Sequence, residues 1–283
     1  MQITQEEQGW NVIGILQGKA SKSKKVVLLG AHHDTVFETC GTNDNGSGVG
    51  ALLESARLLI ESRKNCWLQH TVIFVIFDFE EIGYLGSSLF IKQWLKPYLH
   101  ITMSTFHGAI IMDTIMNFDG RKFSQLLPLH FDRLHPSLNA KIATRSYRGD
   151  FLLSISRRDI DSHLVQALKR AYKTVFAGQL GSWLASAELS NIDELDKSVA
   201  SFYTRSDHYS FWSESSNYSA ALLTDSANHR GSMQECYHYY CDNVTMLTDD
   251  NLKFLTLNVL TITEALFQLA KPCLPVKMNE TSV

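Results

Sequence analysis

The sequence predicts an α/β fold with a mostly parallel, mixed central sheet and helices on both faces. Three observations support this prediction: apolar runs of strand length alternate with amphipathic runs of helical length, three of the apolar runs end in acids or histidines, and no repeat or linker interrupts the series. Alternation of this kind is typical of parallel strands joined by helical crossovers. With 45% hydrophobic residues, a chain of 283 residues can bury a sizeable core.

The elements of the first half each follow from a local pattern. Val26–Ala31 is a short apolar strand that runs into two histidines and an aspartate. The turn after it contains Gly46 and Gly48 and leads into a helix. Its apolar residues recur at helical spacing, which predicts one face formed by Leu52, Leu53, Ala56, Leu59 and Ile60. The segment HTVIFVIFD is a second strand, which ends at Asp78, and GYLGSSLFIKQWL is a second helix. The third strand, HGAIIMD, ends in Asp113.

The second half is less regular. Two connections, Asn117–Arg157 and Gly178–Tyr203, have no clear period and are predicted as loops, the first of them over the site. Arg158–Ala177 is an amphipathic helix, YSAALLTD is a late strand, and a long last helix begins in the segment DDNLKFL. We therefore expect one domain over residues 1–283, with its core at about 11–270.

Composition excludes several classes of partner. The formal net charge is −3, so we expect neither nucleic acid nor an anionic membrane surface as a ligand. No stretch approaches the ~20 apolar residues of a membrane span. The amino terminus, MQITQEEQGWNVIG, lacks the basic and apolar regions of a secretory signal, so the chain is either intracellular or begins downstream of its signal. Nothing in the sequence indicates an oligomeric state.

The cysteines argue against a thiolate metal site. There are five, without a CxxC pattern, and the odd number leaves at least one thiol unpaired. Cys236 and Cys241 could close a small loop in an oxidising compartment. Three sequons favour a secretory route, and they begin at Asn217, Asn243 and Asn279.

The strand ends carry the residues that indicate function. In open α/β sheets, ligands bind outside the carboxyl ends of the strands. Taken singly, each residue there has an ordinary interpretation as a turn, a helix cap or a surface acid. Together, so many carboxylates at one edge would repel one another unless a dication neutralised them, and mixed imidazole and carboxylate ligands favour zinc. The candidates are His32, Asp34, Asp44, Glu80, Glu81 and Asp113.

Six motifs in this order resemble the co-catalytic dizinc aminopeptidase family, which also contains glutaminyl cyclases and some carboxypeptidases. They are AHHDTV, GTNDNGSGVGALLE, FDFEEIGYLGS, IIMDTI, SDHYSFW and YHYYCD. The likeness runs from about Asn11 to Ala270. It implies the zinc-exopeptidase fold, two zinc ions as cofactors and a peptide as substrate.

The resemblance also implies a ligand set. His32 and Asp113 bind one zinc, Glu81 and a late histidine bind the other, and Asp44 bridges the two. Asp34 accepts a hydrogen bond from the far nitrogen of His32 and fixes its tautomer. Family members often have a cis peptide bond after the bridging acid, so we expect one here.

The catalytic groups are carried over in the same way. Glu80 is implied as the general base, which takes a proton from the metal-bound water and returns it to the leaving amine. Tyr203 resembles a tyrosine that helps to hold the tetrahedral intermediate, and Tyr237 is an alternative donor. For the late histidine, the motif YHYYCD favours His238 over His208.

The implied function is that of a zinc-dependent metalloexopeptidase, an aminopeptidase that hydrolyses amino-terminal peptide bonds through a zinc-bridging hydroxide. The single domain, the lack of an inserted lid and the lack of an evident cation for a terminal carboxylate favour an aminopeptidase over a carboxypeptidase. Two alternatives remain open: a single-zinc glutaminyl cyclase and a catalytically inactive, receptor-like relative. The family commonly has more chain before the segment NVIGILQG, so we expect a fragment or a short isoform.

Overall fold

A mixed β-sheet lies at the centre of the computed structural model, which describes residues 8–19, 24–62, 67–175, 181–215 and 218–270. Its strands are Val12–Leu16 (β1), Lys25–His32 (β2), Thr71–Phe77 (β3), Thr105–Met112 (β4), Phe151–Arg157 (β5), Trp183–Leu189 (β6) and Ala220–Thr224 (β7). They lie in the order β1-β3-β2-β4-β7-β5-β6. β3, β2, β4 and β7 are parallel, β1 is antiparallel to β3, and the parallel pair β5 and β6 is antiparallel to β7.

Helices cover both faces of the sheet, as predicted. They are Gly46–Ser62 (α1), Leu85–Leu89 (α2), Lys96–Thr102 (α3), Phe131–Leu134 (α4), Pro136–Thr144 (α5), Ser162–Val175 (α6), Lys197–Tyr203 (α7), His208–Glu214 (α8), Met233–Cys236 (α9) and Asp249–Leu269 (α10). A π-helical segment, Phe90–Leu95, joins α2 to α3, and short 3-10 turns occur at Ala227–His229 and Val244–Met246.

The core has two halves because alternate side chains of a strand point to opposite faces. Val27 and Leu29 of β2 pack with α1, α6 and α10. Val26 and Leu28, which alternate with these two residues along β2, pack on the other face with α5, α7, α8 and the π-helical segment. All four side chains are fully buried, and each such burial contributes about 1.5–3 kcal/mol.

The last helix is the longest of the described elements. α10 has 21 residues and is apolar enough, by length and composition, to cross a membrane, and half of this stretch is buried within the fold. Its buried side pairs with α6 and α1 in the core, through residues such as Phe254, Ile262 and Leu266. The sequence predicted this helix, but the expectation that no stretch approaches a membrane span in length and apolar composition was wrong for it.

The two predicted loop regions are wrong in part. Within Asn117–Arg157 the chain forms α4, α5 and β5, and within Gly178–Tyr203 it forms β6 and α7. In β5, the buried residues Ser154 and Ser156 interrupt the apolar run, so the strand is hard to recognise. The hydroxyls of Ser154 and Ser186 lie 2.8 Å apart across β5 and β6, which satisfies polar groups that burial would otherwise penalise.

One edge of the sheet exposes apolar side chains. The predicted apolar face of α1 included Leu53 and Ile60, but these are 57% and 55% exposed. With Val12 and Ile15 of β1, at 57% and 42%, they line a shallow groove between β1 and α1. Leu52 and Leu59, on the side of α1 that faces the sheet, are buried.

Candidate metal centre

The carboxyl ends of three neighbouring strands bring the predicted residues together. β3, β2 and β4 lie side by side and run parallel, so the residues that follow them meet at one edge of the sheet. This edge carries His32 at the end of β2, Glu80 and Glu81 after β3, and Asp113 after β4.

Asp44, in the turn before α1, lies between two imidazoles. Its Oδ1 is 3.4 Å from Nε2 of His32, and its Oδ2 is 3.2 Å from Nε2 of His238. Burial raises the pKa of Asp44, but the two nearby imidazoles outweigh it and hold the pKa well below its usual range. The Asp44–Asn45 peptide bond is cis, as the resemblance implied. A carboxylate whose two oxygens face two different histidines has the arrangement that a bridging ligand needs.

His32 is buried among acids. Its Nε2 is 3.9 Å from Oδ1 of Asp113. Its Nδ1 is 3.1 Å from the carbonyl oxygen of Asp34 and 3.6 Å from the Asp34 carboxylate, which is too long for a hydrogen bond. The carbonyl, rather than the expected carboxylate, therefore orients the ring, and the carboxylate accepts the main-chain N–H of Glu81 at 3.0 Å. Burial lowers the pKa of His32, but Asp113 and the other nearby acids raise it well above its ordinary value.

The second histidine at the site is His238. Its Nε2 is 3.3 Å from Oε2 of Glu81 and faces Asp44 as well. Burial, together with the charge of Asp44, raises the pKa of Glu81 to about 7. His208, the other candidate, is fully buried on α8, and its Nε2 is 2.8 Å from the carbonyl oxygen of Tyr203. Of the two predicted alternatives, His238 is the one that the fold brings to the acids.

The donor atoms of this cluster fit a bound cation. Nε2 of His32, Oε1 of Glu81 and Nε2 of His238 are buried without a hydrogen-bond partner. Each such orphaned atom costs about 1–3 kcal/mol, and coordination to a metal would satisfy it. Imidazole and carboxylate donors together suit zinc. Two groups have ligand atoms within 4.8 Å of one another, namely His32 with Asp44 and Glu81, and His32 with Glu80 and Asp113.

Glu80 is buried beside the predicted ligands. It is 5% exposed. Burial and the charges of Asp113 and Asp207 raise the pKa of Glu80 well above its usual range, against the opposing charge of His32. A carboxylate with a raised pKa accepts protons near neutral pH, which is what a general base requires.

The turn that carries both glutamates is hydrogen-bonded at both ends by Asn11, a contact that the sequence did not predict. The Asn11 side chain accepts the main-chain N–H of Asp78 at 3.0 Å and donates to the carbonyl of Gly86 at 2.9 Å. Asp78 also accepts the N–H of Trp10 at 2.8 Å. A Cβ added at Gly86 would lie 1.9 Å from the Asp78 carbonyl oxygen, so only glycine allows the two ends to approach this closely.

Asp242, the acid of the YHYYCD motif, holds the main chain of the Asp44 turn. Its carboxylate accepts the N–H of Asn43 at 2.7 Å and that of Asp44 at 2.9 Å, and it is fully buried. Asn45 connects the same turn to the end of β4 by donating to the carbonyl of Met112 at 2.8 Å. The motif signalled that this acid matters, but not that its partners are main-chain amides.

A disulfide closes the loop that carries His238. It joins Cys236 to Cys241, the pair suggested by their spacing, and Cys40 is an exposed free cysteine. The remaining two cysteines, Cys66 and Cys273, lie outside the described part of the chain, as do the sequon residues Asn217 and Asn279.

The tyrosine beside the site is Tyr237. Its ring stacks on His238 with 3.8 Å between the ring centres, and it lines the cavity described below. Tyr203, the preferred candidate from the sequence, is fully buried at the end of α7 and packs against His135. Its hydroxyl has no hydrogen-bond partner, and burial alone raises the pKa of Tyr203. The fold therefore does not bring Tyr203 to the acids, because the face of α7 that carries it packs into the core.

A cavity of about 620 Å³ opens beside these residues. This volume lies within the range of ~300–1,000 Å³ that is usual for small-molecule sites. Glu80, Glu81 and His238 form part of its wall, and so does Arg205, which lies between α7 and α8. The sequence showed no evident cation for a terminal carboxylate, whereas the structure has Arg205 in the wall of this cavity.

Known proteins are similar to this chain mainly in its first half. Residues 11–147 match peptidase family M28. The chain is 41% identical to the aminopeptidase YwaD of Bacillus subtilis over 83 residues, which are 29% of this chain and 17% of that protein. It is 31% identical to leucine aminopeptidase 2 of Trichophyton equinum over 124 residues, 42% of this chain and 24% of that protein.

Solved structures share the fold over nearly the whole chain. A zinc aminopeptidase from Bacillus subtilis matches with a TM-score of 0.61 and 20% identity, over 91% of this chain and 49% of that one. The glutaminyl cyclase of Porphyromonas gingivalis matches with a TM-score of 0.54 and 18% identity, over 91% of this chain and 77% of that one. The chain thus spans about half the length of the aminopeptidase structure. The predicted α/β fold is confirmed as that of the zinc aminopeptidases.

Proposed function

We propose that this protein is a zinc-dependent aminopeptidase with two metal ions, a proposal that the match of residues 11–147 to peptidase family M28 supports. The observation that carries the proposal is the position of Asp44, whose two carboxylate oxygens face His32 and His238 separately. A single-ion site would need only one of these contacts. We also propose that residues 11–270 act as one peptidase domain.

The ligand set divides into two groups. His32 and Asp113 would hold one zinc, Glu81 and His238 would hold the other, and Asp44 would bridge them. Zinc in such a site lowers the pKa of a bound water and polarises the carbonyl of the scissile bond. The protein's own part is to fix these donors in a buried site, as the Asp34 carbonyl does for the His32 ring at 3.1 Å.

Glu80 would move the proton. Its low exposure and raised pKa suit a carboxylate that takes up the proton of the attacking water at neutral pH. The same carboxyl group would then give the proton to the nitrogen of the leaving amine. Tyr237, stacked on His238 at the cavity wall, would donate from its hydroxyl to the developing oxyanion.

Metal analysis of Glu80→Gln and His238→Ala, beside the wild type, tests this proposal. We expect two zincs per wild-type chain and release of amino acids from aminoacyl amides. Glu80→Gln should keep its zinc and lose about 10²–10⁴-fold in kcat, because it lacks only the proton acceptor. His238→Ala should lose one zinc. His208→Ala is the matched control, since this histidine is not among the ligands, and its zinc content should stay at two.

Other outcomes would support the alternatives. One zinc, with cyclisation of amino-terminal glutamine and no release of amino acids, would favour the glutaminyl cyclase, whose fold this chain shares. Two zincs without turnover of any peptide would favour an inactive relative. Absence of zinc after purification and reloading would refute the metal centre.

A further inference from the structure

Arg205 is the cation of the substrate cavity. Among the described residues that line this cavity, it is the only arginine or lysine. It lies in the connection between α7 and α8, and its neighbours Ser206 and Asp207 are fully buried, which fixes the main chain at this point. The guanidinium is therefore presented to the cavity from a rigid part of the fold.

The partners of Arg205 are neutral. Its Nη1 donates to Oδ1 of Asn228 at 2.9 Å, and its guanidinium also donates to the Tyr237 hydroxyl and lies 4.9 Å from the ring centre of Tyr237. Within the described part of the chain no carboxylate forms an ion pair with it. Four other arginines do have acidic partners: Arg57, Arg121, Arg145 and Arg157.

The charge of Arg205 also reaches the metal centre. Burial lowers the pKa of Arg205, but Tyr237, Asp113 and Asp44 raise it further, so the group stays positively charged. One neighbouring base stays neutral beside it, because burial and the charge of Arg205 lower the pKa of His229 to about 4. The cavity wall thus has two acids, Glu80 and Glu81, at the candidate metal centre and one positive charge, Arg205, beside Asn228.

A guanidinium has five N–H donors in a planar fork, which matches a carboxylate with two parallel hydrogen bonds. Asn228 accepts from one of the five. We propose that Arg205, oriented by Asn228, forms a subsite for a carboxylate of the peptide substrate. This inference rests on the proposed function and adds a substrate class to it: short peptides with a free carboxyl terminus, or peptides with an acidic side chain next to the cleaved bond.

Matched substrate pairs test the subsite on the zinc-loaded full chain. Leu-Gly is compared with Leu-Gly-amide for the terminal carboxylate, and Leu-Glu-amide with Leu-Gln-amide for an acidic side chain. In the wild type, one pair should show a higher kcat/KM for the acidic member. Arg205→Gln should remove this preference, lowering kcat/KM for that member by about 10- to 100-fold, mainly through KM, with little change for the neutral substrates.

Two further variants separate charge from structure. Asn228→Asp keeps the shape of the site but places a carboxylate 2.9 Å from the guanidinium, so it should remove the same preference while Arg205 is still present. Arg133→Gln, at an exposed position on α4, removes one positive charge elsewhere and should leave the preference intact. The substrate pair whose preference is lost in Arg205→Gln shows whether the bound carboxylate is the carboxyl terminus or an acidic side chain.

The inference is overturned if Arg205→Gln lowers turnover of all four substrates alike, or if it lowers zinc content, because either result would make Arg205 a general support of the metal centre. A wild type that hydrolyses both members of each pair equally well would overturn it too. Failure of the wild type to hydrolyse any substrate would instead refute the proposed function. In that case, calorimetric binding of both substrate pairs to the zinc-loaded protein still decides on the subsite, since equal affinities within each pair would reject it.

Discussion

Replacing Asp242 with asparagine should weaken zinc binding although Asp242 is not one of the proposed ligands. The Asp242 carboxylate accepts two main-chain N–H groups, from Asn43 at 2.7 Å and from Asp44 at 2.9 Å. An asparagine can accept only one of them and turns an NH₂ group toward the other. A hydrogen bond to a charged group contributes about 1.5–3 kcal/mol. If losing one displaces Asp44, and all of this energy appears as weaker zinc binding, zinc affinity should fall by about 10- to 150-fold.

Zinc affinity is a better measure than the stability of the zinc-free protein. Burial and the charge of Asp44 raise the pKa of Asp242, so removing the charge of Asp242 relieves some repulsion and offsets part of the lost stability. In zinc binding the two effects add. Displacement of Asp44 weakens the site, and the loss of one negative charge beside the bound cations weakens it further.

The assay is competition for zinc between the protein and a fluorescent chelator at pH 7.5. Asp132→Asn, at an exposed position on α4, is the control for the loss of one negative charge at a distance. Urea unfolding of the zinc-free proteins should check that Asp242→Asn still folds. An affinity within twofold of the wild type, in a folded variant, would refute the idea that Asp242 positions Asp44.

Three further predictions follow from the contacts around the site. Asn11→Asp keeps one hydrogen bond to the turn after β3 and loses the donor of the other, so kcat/KM should fall by about 5- to 10-fold, measured on a neutral aminoacyl amide. Reduction of the Cys236–Cys241 disulfide with a thiol-free phosphine reductant frees the six-residue loop that carries His238, and zinc affinity should fall by up to about 30-fold, measured by chelator competition with and without reductant. Because burial raises the pKa of Glu81 to about 7, zinc must displace a proton from this carboxylate at lower pH. Zinc affinity should therefore fall about fivefold between pH 7 and pH 6, and a flat profile would contradict this assignment.

The part of the site that lies at the strand ends could be predicted from the sequence. β2, β3 and β4 are continuous apolar runs, and each ends in a polar residue that the parallel sheet brings to one edge. His32 and Asp113 are therefore placed by periodicity and strand order alone. The resemblance then supplied what the pattern could not, namely the role of Asp44 in the turn as a bridging ligand.

Residues that act through long-range contacts could not be predicted from local pattern. Asp242 and Asp44 are 198 residues apart in the chain, and their contact exists only because the loop after α9 docks on the turn before α1. Tyr203 lies next to the SDHYSFW motif in the sequence, yet it is on the face of α7 that packs into the core and is fully buried. Arg205 had no recognisable signal, because its importance comes from a cavity formed by several loops.

These contacts divide the metal centre between two parts of the chain. The segment that matches peptidase family M28, residues 11–147, contains four of the five proposed ligands and Glu80. The fifth, His238, and the residue that fixes Asp44, Asp242, both come from a loop far outside it. His238 and His32 face different oxygens of Asp44, so the proposed second zinc position would form only when the last third of the chain is folded against the first. Binding of the proposed second zinc should therefore be coupled to this docking more strongly than binding of the first, which shares Asp44 but takes its other ligands, His32 and Asp113, from the ends of β2 and β4.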